Sequence, residues 1–189
     1  QNGQLMRKIA PGNYDITAVY GYDETTGDVY YQAAALNPHD RQVYVMHKNG
    51  QTQRLTQQEG WNDAVFSGDC KYFVNTWSNY DTPYVYTTRD NRGKLLSTNI
   101  DNKALAAKIK EYGWTKRETF SFTTSEGVKL DGWMVKPANF DSSRMYPVIM
   151  FQYSGPGSQQ VVNSWSSGSM GQGGAFDQHL VQQGLIVVC

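Results

Sequence analysis

One stretch near the carboxyl end decides the fold: residues 146–160 are Tyr-Pro-Val-Ile-Met-Phe-Gln-Tyr-Ser-Gly-Pro-Gly-Ser-Gln-Gln. Its apolar run, Val148 to Phe151, is too short for an independent helix and follows a proline, so it predicts a buried strand. The Gly-Pro-Gly sequence at residues 155–157 must leave the strand and turn. Tyr153 is therefore expected at the carboxyl end of a strand, where open α/β sheets place their ligands.

A second strand is predicted beyond this turn. The segment after the turn is polar and rich in glycine, and a helix is then predicted from Phe176 to Gln183, with Gly184 ending it. The apolar run from Leu185 to Val188 predicts the next buried strand. A strand, a helix and a strand in this order form a βαβ unit, whose crossover we expect to be right-handed.

A family resemblance rests on residues 153–160, which are Tyr-Ser-Gly-Pro-Gly-Ser-Gln-Gln and closely follow the apolar strand. This motif resembles the dipeptidyl peptidase IV branch of the prolyl oligopeptidase family, serine peptidases that join a β-propeller to an α/β-hydrolase domain. The resemblance implies that the Tyr153 hydroxyl donates to the oxyanion of the tetrahedral intermediate. It also places the nucleophilic Ser, the Asp and the His beyond Cys189, since the chain contains no Gly-x-Ser-x-Gly sequence. We therefore expect a fragment of a peptidase.

The composition narrows the function classes. The 17 Lys and Arg balance the 17 Asp and Glu, so the net charge does not favour a nucleic acid or an anionic membrane as partner. No apolar stretch approaches the length of a membrane-spanning helix, about 18 residues. Aromatic residues make up 13% of the chain, which is typical of β structure with half-buried faces. The three histidines have no metal-ligand spacing, and the family resemblance implies no metal or cofactor.

Short strands joined by tight turns are predicted throughout the first hundred residues. The predicted strands cover residues 5–9, then 14–21, 29–35, 42–47 and 51–56, and then 61–66, 70–78, 83–88 and 94–97. Val43–Val45 aligns with Tyr84–Tyr86, and Leu55 with Leu96, at a shift of 41 positions. That shift fits the period of a four-stranded propeller blade, roughly 40–50 residues. We predict two complete blades, preceded by the last strand of a third; a generic antiparallel meander is the alternative.

A change of domain is predicted near residue 100. Residues 104–112 favour a helix that Asp101 can cap. Three apolar residues share one face of this helix, namely Leu105, Ile109 and Tyr112. Beyond the helix, alternating residues at 117–124 and 128–136 predict a β-hairpin like the one that opens many hydrolase sheets.

The predicted fold class is therefore mixed, with the carboxyl-terminal blades of a β-propeller followed by the amino-terminal half of an α/β-hydrolase domain. We assign residues 1–98 to the last blades, residues 99–113 to a linker helix, and residues 114–189 to the amino-terminal part of the catalytic domain. Two blades cannot close a propeller ring. We therefore expect further blades upstream of Gln1.

Tyr153 is the candidate catalytic residue, and the family resemblance gives it the oxyanion-hole role. By position alone, a packed aromatic residue at a strand end is the alternative. Gly155 and Gly157 are expected to support the sharp turn. Ser154 and Ser158 are interpreted as turn residues, because no activating base is near them in the sequence.

Three further residues are interpreted as structural. Asp131 and Asp177 are expected to be capping or surface carboxylates, and Trp165 to take part in core or inter-domain packing.

The predicted function of the intact protein is a serine exopeptidase that releases Xaa-Pro or Xaa-Ala dipeptides from peptide amino termini. The resemblance further implies a homodimer in an extracytoplasmic location, periplasmic or secreted. The fragment alone is expected to be inactive and to self-associate through unpaired strand edges. Two alternatives stay open: another propeller-hydrolase, such as a prolyl oligopeptidase or an acylaminoacyl peptidase, and a non-catalytic propeller-type binding protein.

Overall fold

The computed structural model describes residues 3–4, 12–153, 155, 157–165, 168–169 and 174–189. The chain divides into two compact units. The first unit comprises Gln1–Trp77 with Val85–Asp101, and the second comprises Ser78–Tyr84 with Asn102–Cys189. The assignment of propeller and hydrolase domains to residues 1–98, 99–113 and 114–189 stays a prediction.

The described residues up to Ile100 form two four-stranded sheets. The strands of the first sheet are β1 (Ile16–Asp23), β2 (Asp28–Ala33), β3 (Gln42–Met46) and β4 (Thr52–Arg54). Those of the second are β5 (Trp61–Phe66), β6 (Tyr72–Asn79), β7 (Thr82–Asp90) and β8 (Leu95–Ile100). In each sheet the spatial order of the strands follows their order in the chain. The two predicted groups of four strands are confirmed to within a few residues, whereas the predicted strand at residues 5–9 lies outside the described residues.

The alternation of side chains along β2 explains how the first unit builds its core. Tyr30 and Tyr31 are adjacent, so their side chains point to opposite faces of the first sheet. Tyr30 joins a buried cluster to which both sheets contribute: Tyr30, Val43, Val45, Leu55, Ala64, Cys70 and Phe73. Tyr31 joins a second cluster with Ala33, Tyr44 and Met46. The first sheet therefore buries apolar residues on both faces.

The 41-residue repeat aligns strands that hold the same position in their sheets but differ in how deeply they are buried. Val43–Val45 lies in β3 and Tyr84–Tyr86 lies in β7, each the third strand of its sheet. Leu55 is only 2% exposed, whereas its repeat partner Leu96 is 49% exposed. The repeat therefore predicts the layout of the strands correctly, but burial depends on what packs against each sheet.

Among its described residues, the second unit contains a four-stranded mixed sheet and two helices. Its elements are α1 (Lys103–Glu111), β9 (Arg117–Thr123), β10 (Lys129–Val135), β11 (Val148–Met150), α2 (Ala175–Gln182) and β12 (Ile186–Val188). The spatial order of the sheet is β11-β12-β10-β9. β10 pairs antiparallel with both β9 and β12, and β11 pairs parallel with β12. The predicted hairpin and the predicted strand, helix and strand are all present, around a core of Trp133, Val135, Val181 and Val187.

A buried strand was predicted at Val148 to Phe151, and the prediction of burial is wrong. The strand exists, but Val148, Ile149 and Met150 are 56%, 38% and 69% exposed. The reason is the place of β11 in the sheet, because among the described strands it is paired only on the side of β12. An apolar strand at the edge of a sheet keeps much of its surface exposed.

The start of α1 also differs from the prediction. Its N-cap is Asn102 and not Asp101, and no side-chain capping hydrogen bond is made there. The Asn102 side-chain amide instead donates to the carbonyl oxygen of Tyr84 over 2.6 Å. Leu105 and Tyr112, which were expected to form an apolar face, are both exposed. The helix is therefore correctly predicted, but its apolar face is not buried.

Candidate active site

Tyr153 lies on the loop that leaves the carboxyl end of β11 and leads to α2. The strand pairing continues one residue past β11, where the Phe151 amide donates to the Val188 carbonyl oxygen over 2.8 Å. Two residues later the Tyr153 side chain is 60% exposed. The ring is therefore not packed into the core, and its surface is accessible to a bound molecule.

Gly155 and Gly157 follow Tyr153 in the chain, and Gly155 lies close to the tyrosine ring. A Cβ atom built on Gly155 would lie 3.0 Å from Cε1 and 3.1 Å from the hydroxyl oxygen of Tyr153. The Ser158 amide donates to the Gly155 carbonyl oxygen over 3.1 Å, which closes a turn. Gly157 lies within this turn at a φ of 76°, in the left-handed region that favours glycine.

The serines of this motif differ in what the structure describes. Ser154 lies outside the described residues. The Ser158 hydroxyl accepts a hydrogen bond from the Gln160 side-chain amide over 2.8 Å. An amide donor cannot act as the general base that a nucleophilic serine requires. This contact is compatible with the interpretation of Ser158 as a turn residue.

The loop is held first by β10. The Trp133 indole donates to the Gln160 carbonyl oxygen at a donor–acceptor distance of 3.4 Å. Val161 packs against the core cluster to which Trp133 belongs. The loop therefore returns to the sheet within eight residues of Tyr153.

The second set of contacts joins the loop to Ser78–Tyr84, the tip of the β6–β7 hairpin, which belongs to the same compact unit. The Ser78 hydroxyl accepts the Trp165 amide over 3.1 Å and lies 3.4 Å from the Ser164 hydroxyl. The Tyr80 amide donates to the Asn163 side-chain oxygen over 3.1 Å. Ser78 and Ser164 are both buried, so these bonds are shielded from water.

Trp165 itself contacts another part of the second unit. Its ring stacks on that of Trp114 with the centroids 5.6 Å apart, and Trp165 is partly buried. Packing was expected for this residue, and the structure identifies its partner as the segment between α1 and β9.

The third set of contacts is made by Asp177, which is buried on the first turn of α2. Its carboxylate accepts the Ser169 amide over 3.0 Å, and it also bonds the Ser169 hydroxyl. Arg117 lies against the same carboxylate, with its Nη2 atom 3.3 Å from Oδ2. The expectation that Asp177 is a capping or surface carboxylate is therefore wrong, because its partners are a loop backbone and a buried guanidinium.

Arg117 is almost completely enclosed. Its guanidinium carbon lies 4.1 Å from the ring centre of Trp133 and 5.3 Å from that of Tyr80. Burial lowers the pKa of Arg117, and the attraction of Asp177 opposes this effect. Since a buried unpaired charge is costly, each member of the pair is needed to keep the other in place.

The described part of the chain contains no group of three or more His, Cys, Asp or Glu side chains placed to hold a metal ion. No helix among the described residues is long and apolar enough to cross a membrane. Cys70 and Cys189 are both free thiols.

Comparison with known proteins shows which family the chain resembles. Residues 1–84 match the family described as Dipeptidyl peptidase IV (DPP IV) N-terminal region. The crystal structure of Porphyromonas gingivalis dipeptidyl peptidase 4 matches with a TM-score of 0.90 and 39% identity, over 99% of this chain and 26% of that one. The fold is thus mixed and largely sheet, with four-stranded sheets that resemble the propeller region of that protein.

Curated relatives point the same way. Dipeptidyl peptidase 4 of Trichophyton equinum is 29% identical over 164 residues, covering 84% of this chain and 21% of the relative. That of Trichophyton rubrum is 28% identical over 166 residues, with the same coverage. These matches confirm the predicted resemblance to the dipeptidyl peptidase IV family. The chain spans about a fifth of the length of these curated relatives.

Proposed function

We propose that this chain is part of a serine exopeptidase and that it supplies the oxyanion-hole tyrosine, Tyr153. Peptide-bond cleavage passes through an oxyanion, and hydrogen-bond donors aimed at that charge stabilise the transition state. The observation that carries the proposal is the place of Tyr153, on an exposed loop directly after an apolar strand. A phenol hydroxyl there can reach a bound peptide without first leaving a packed core.

The order of the elements in the second unit supports an α/β-hydrolase domain. Two antiparallel strands, β9 and β10, precede two parallel strands that are joined through α2. In α/β hydrolases the loop after the third strand supplies one oxyanion donor, while the other is the backbone N–H after the nucleophile. β11 is the third strand of this unit, and Tyr153 lies on the loop that follows it.

The resemblance to the family supports a proposal for the substrate and for the remaining catalytic residues. The proposed substrates are peptides with Pro or Ala as the second residue, from which an amino-terminal dipeptide is released. The Ser, Asp and His of the triad are proposed to lie beyond Cys189, so the chain alone should have no peptidase activity. The family likeness also supports an extracytoplasmic homodimer, which cell fractionation and light scattering of the complete protein would test.

The decisive variant is Tyr153→Phe in the complete protein, because it removes only the hydroxyl. If the hydroxyl stabilises the oxyanion, kcat should fall on the order of 10²–10³-fold. KM should change little, because the lost interaction is made only in the transition state.

A tyrosine with a purely structural hydroxyl gives a different result. It would lose stability of about 1 kcal/mol at most, with kcat within a few-fold of the wild type. Tyr112→Phe is the matched control, since Tyr112 is also an exposed tyrosine of the second unit. Near-normal kcat for Tyr153→Phe, measured at equal Tm, would remove Tyr153 from the site.

A further inference from the structure

The loop between β11 and α2 spans residues 151–174, and its described residues contain no helix or strand. Ordering such a segment costs conformational entropy, which fixed contacts must offset. Long loops of this kind in compact domains commonly carry function. The way in which this loop is held therefore bears directly on where Tyr153 lies.

Among the described residues, two side chains outside the loop accept hydrogen bonds from its backbone amides. Ser78, on the hairpin tip, accepts the Trp165 amide over 3.1 Å. Asp177, on α2, accepts the Ser169 amide over 3.0 Å. Both side chains belong to buried residues, and a backbone amide that loses a buried acceptor is left unpaired.

Charge strengthens the second of these contacts. Asp177 is held by the guanidinium of Arg117, which is itself packed on the face of Trp133. Trp133 in turn donates to the carbonyl oxygen of Gln160 in the same loop. The buried ion pair is thus connected to the loop at Ser169 and, through Trp133, at Gln160.

We propose that Ser78 and Asp177 are positioning residues, which fix this loop so that the Tyr153 hydroxyl points at the reacting carbonyl. The inference rests on the proposed function of Tyr153. It goes further in assigning a role to two residues that themselves touch no substrate. Because a donor must lie within hydrogen-bond distance of the oxyanion, a displacement of about 1 Å can cost on the order of 10²-fold in rate.

The test is a double-mutant cycle in the complete protein. Ser78→Ala and Asp177→Asn are each made alone and in combination with Tyr153→Phe, and kcat and KM are measured on a dipeptide amide with proline in the second position. Each single variant should lower kcat on the order of tenfold to a hundredfold. In the Tyr153→Phe background the same changes should have no further effect on kcat, because the hydroxyl that they position is absent.

Ser67→Ala is the matched control. Ser67 lies shortly before β6, and Ser78 lies near the end of the same strand. Like the Ser78 hydroxyl, the Ser67 hydroxyl accepts a backbone amide, that of Tyr72, over 3.2 Å. Its loss should leave kcat unchanged, since Ser67 belongs to the first compact unit and the loop to the second. If Asp177→Asn fails to fold, Ser78→Ala and Asn163→Ala decide the question.

The outcomes separate the two proposals. Normal kcat in Tyr153→Phe overturns the proposed function and, with it, the positioning role. A large loss in Tyr153→Phe, with Ser78→Ala lowering kcat equally in both backgrounds, overturns the positioning role alone. Normal kcat in Ser78→Ala would also overturn the positioning role alone. A loss in Ser78→Ala that disappears in the double variant supports both.

Discussion

Gly155 leaves room for the ring of Tyr153, and the consequence can be tested at a single residue. Gly155→Ala adds a methyl group at a glycine whose φ lies outside the left-handed region. That methyl would lie 3.0–3.1 Å from ring atoms of Tyr153, which must move by a few tenths of an ångström. We expect kcat of the complete protein to fall, by less than in Tyr153→Phe, at nearly unchanged Tm.

Gly157→Ala should give the opposite pattern. No atom lies within 4 Å of its added methyl, but a φ of 76° is strained for alanine. Stability should fall by about 1 kcal/mol, while kcat stays near that of the wild type. Equal kcat in both alanine variants would contradict the role given to Gly155.

Tyr20 should make the first unit less stable as the pH rises into the alkaline range. Burial raises the pKa of Tyr20, and its 2.5 Å hydrogen bond to Asp63 adds to this effect. In the unfolded chain the Tyr20 hydroxyl has a pKa of about 10. The stability that Tyr20 contributes is therefore fully present below that pH. It is lost as the pH rises from there towards the higher folded pKa.

The measurement is the urea midpoint between pH 8 and pH 11. The wild type should lose stability more steeply than Tyr20→Phe, whose ring cannot ionise. Parallel curves for the two proteins would show that the Tyr20 hydroxyl does not couple to folding.

At the scale of single residues, sequence alone could place Tyr153 but not Asp177. Tyr153 follows an apolar run and precedes a Gly-Pro-Gly turn, so its location depends on neighbours in the chain. The partners of Asp177 are Ser169, across the loop, and Arg117, 60 residues away. No local pattern relates a helix-start carboxylate to an arginine at the head of a distant strand.

At the scale of elements, Leu55 and Leu96 are a matched pair. They occupy equivalent positions of the repeat, but Leu55 is buried in the cluster shared by the two sheets and Leu96 is exposed. Leu55→Ala should therefore destabilise the chain by about 2–5 kcal/mol, through lost burial and a cavity. Leu96→Ala should stay within about 0.5 kcal/mol of the wild type.

Chemical denaturation of both variants checks this prediction. A similar large loss for Leu96→Ala would mean that a further layer covers β8 in solution. A small loss for Leu55→Ala would mean that the two sheets do not share a core.

Alternation of residues and turn sequences was sufficient to predict the strands, whereas their burial was not predictable in the same way. The hairpin of β9 and β10 follows from strict alternation and from a turn at Ser125-Glu126-Gly127. β11 has an equally clear pattern, yet it is exposed. An apolar run specifies a strand, but only the complete set of neighbouring strands decides whether it is buried.

At the scale of the whole molecule, the exposed apolar edge should make the isolated chain self-associate. β11 presents Val148, Ile149 and Met150 at the end of its sheet, and an exposed apolar edge strand invites pairing with other chains. Light scattering should detect particles heavier than the 21.3 kDa monomer.

Met150→Lys is the informative variant, since a charge on an edge strand opposes such pairing. It should shift the isolated chain towards the monomer. A monodisperse wild-type monomer at the same concentration would contradict the prediction.

The rate at which the buried thiol of Cys70 is modified should report how often the packing of the first unit opens. The thiolate is the reactive form, and burial both raises the pKa of this thiol and blocks access to it. An alkylating reagent can reach it only when the two sheets separate, so its rate of modification counts those openings. The same thiol in the urea-unfolded chain is the reference, because no packing shields it there. The ratio of the two rates therefore gives the fraction of time for which the first unit is open.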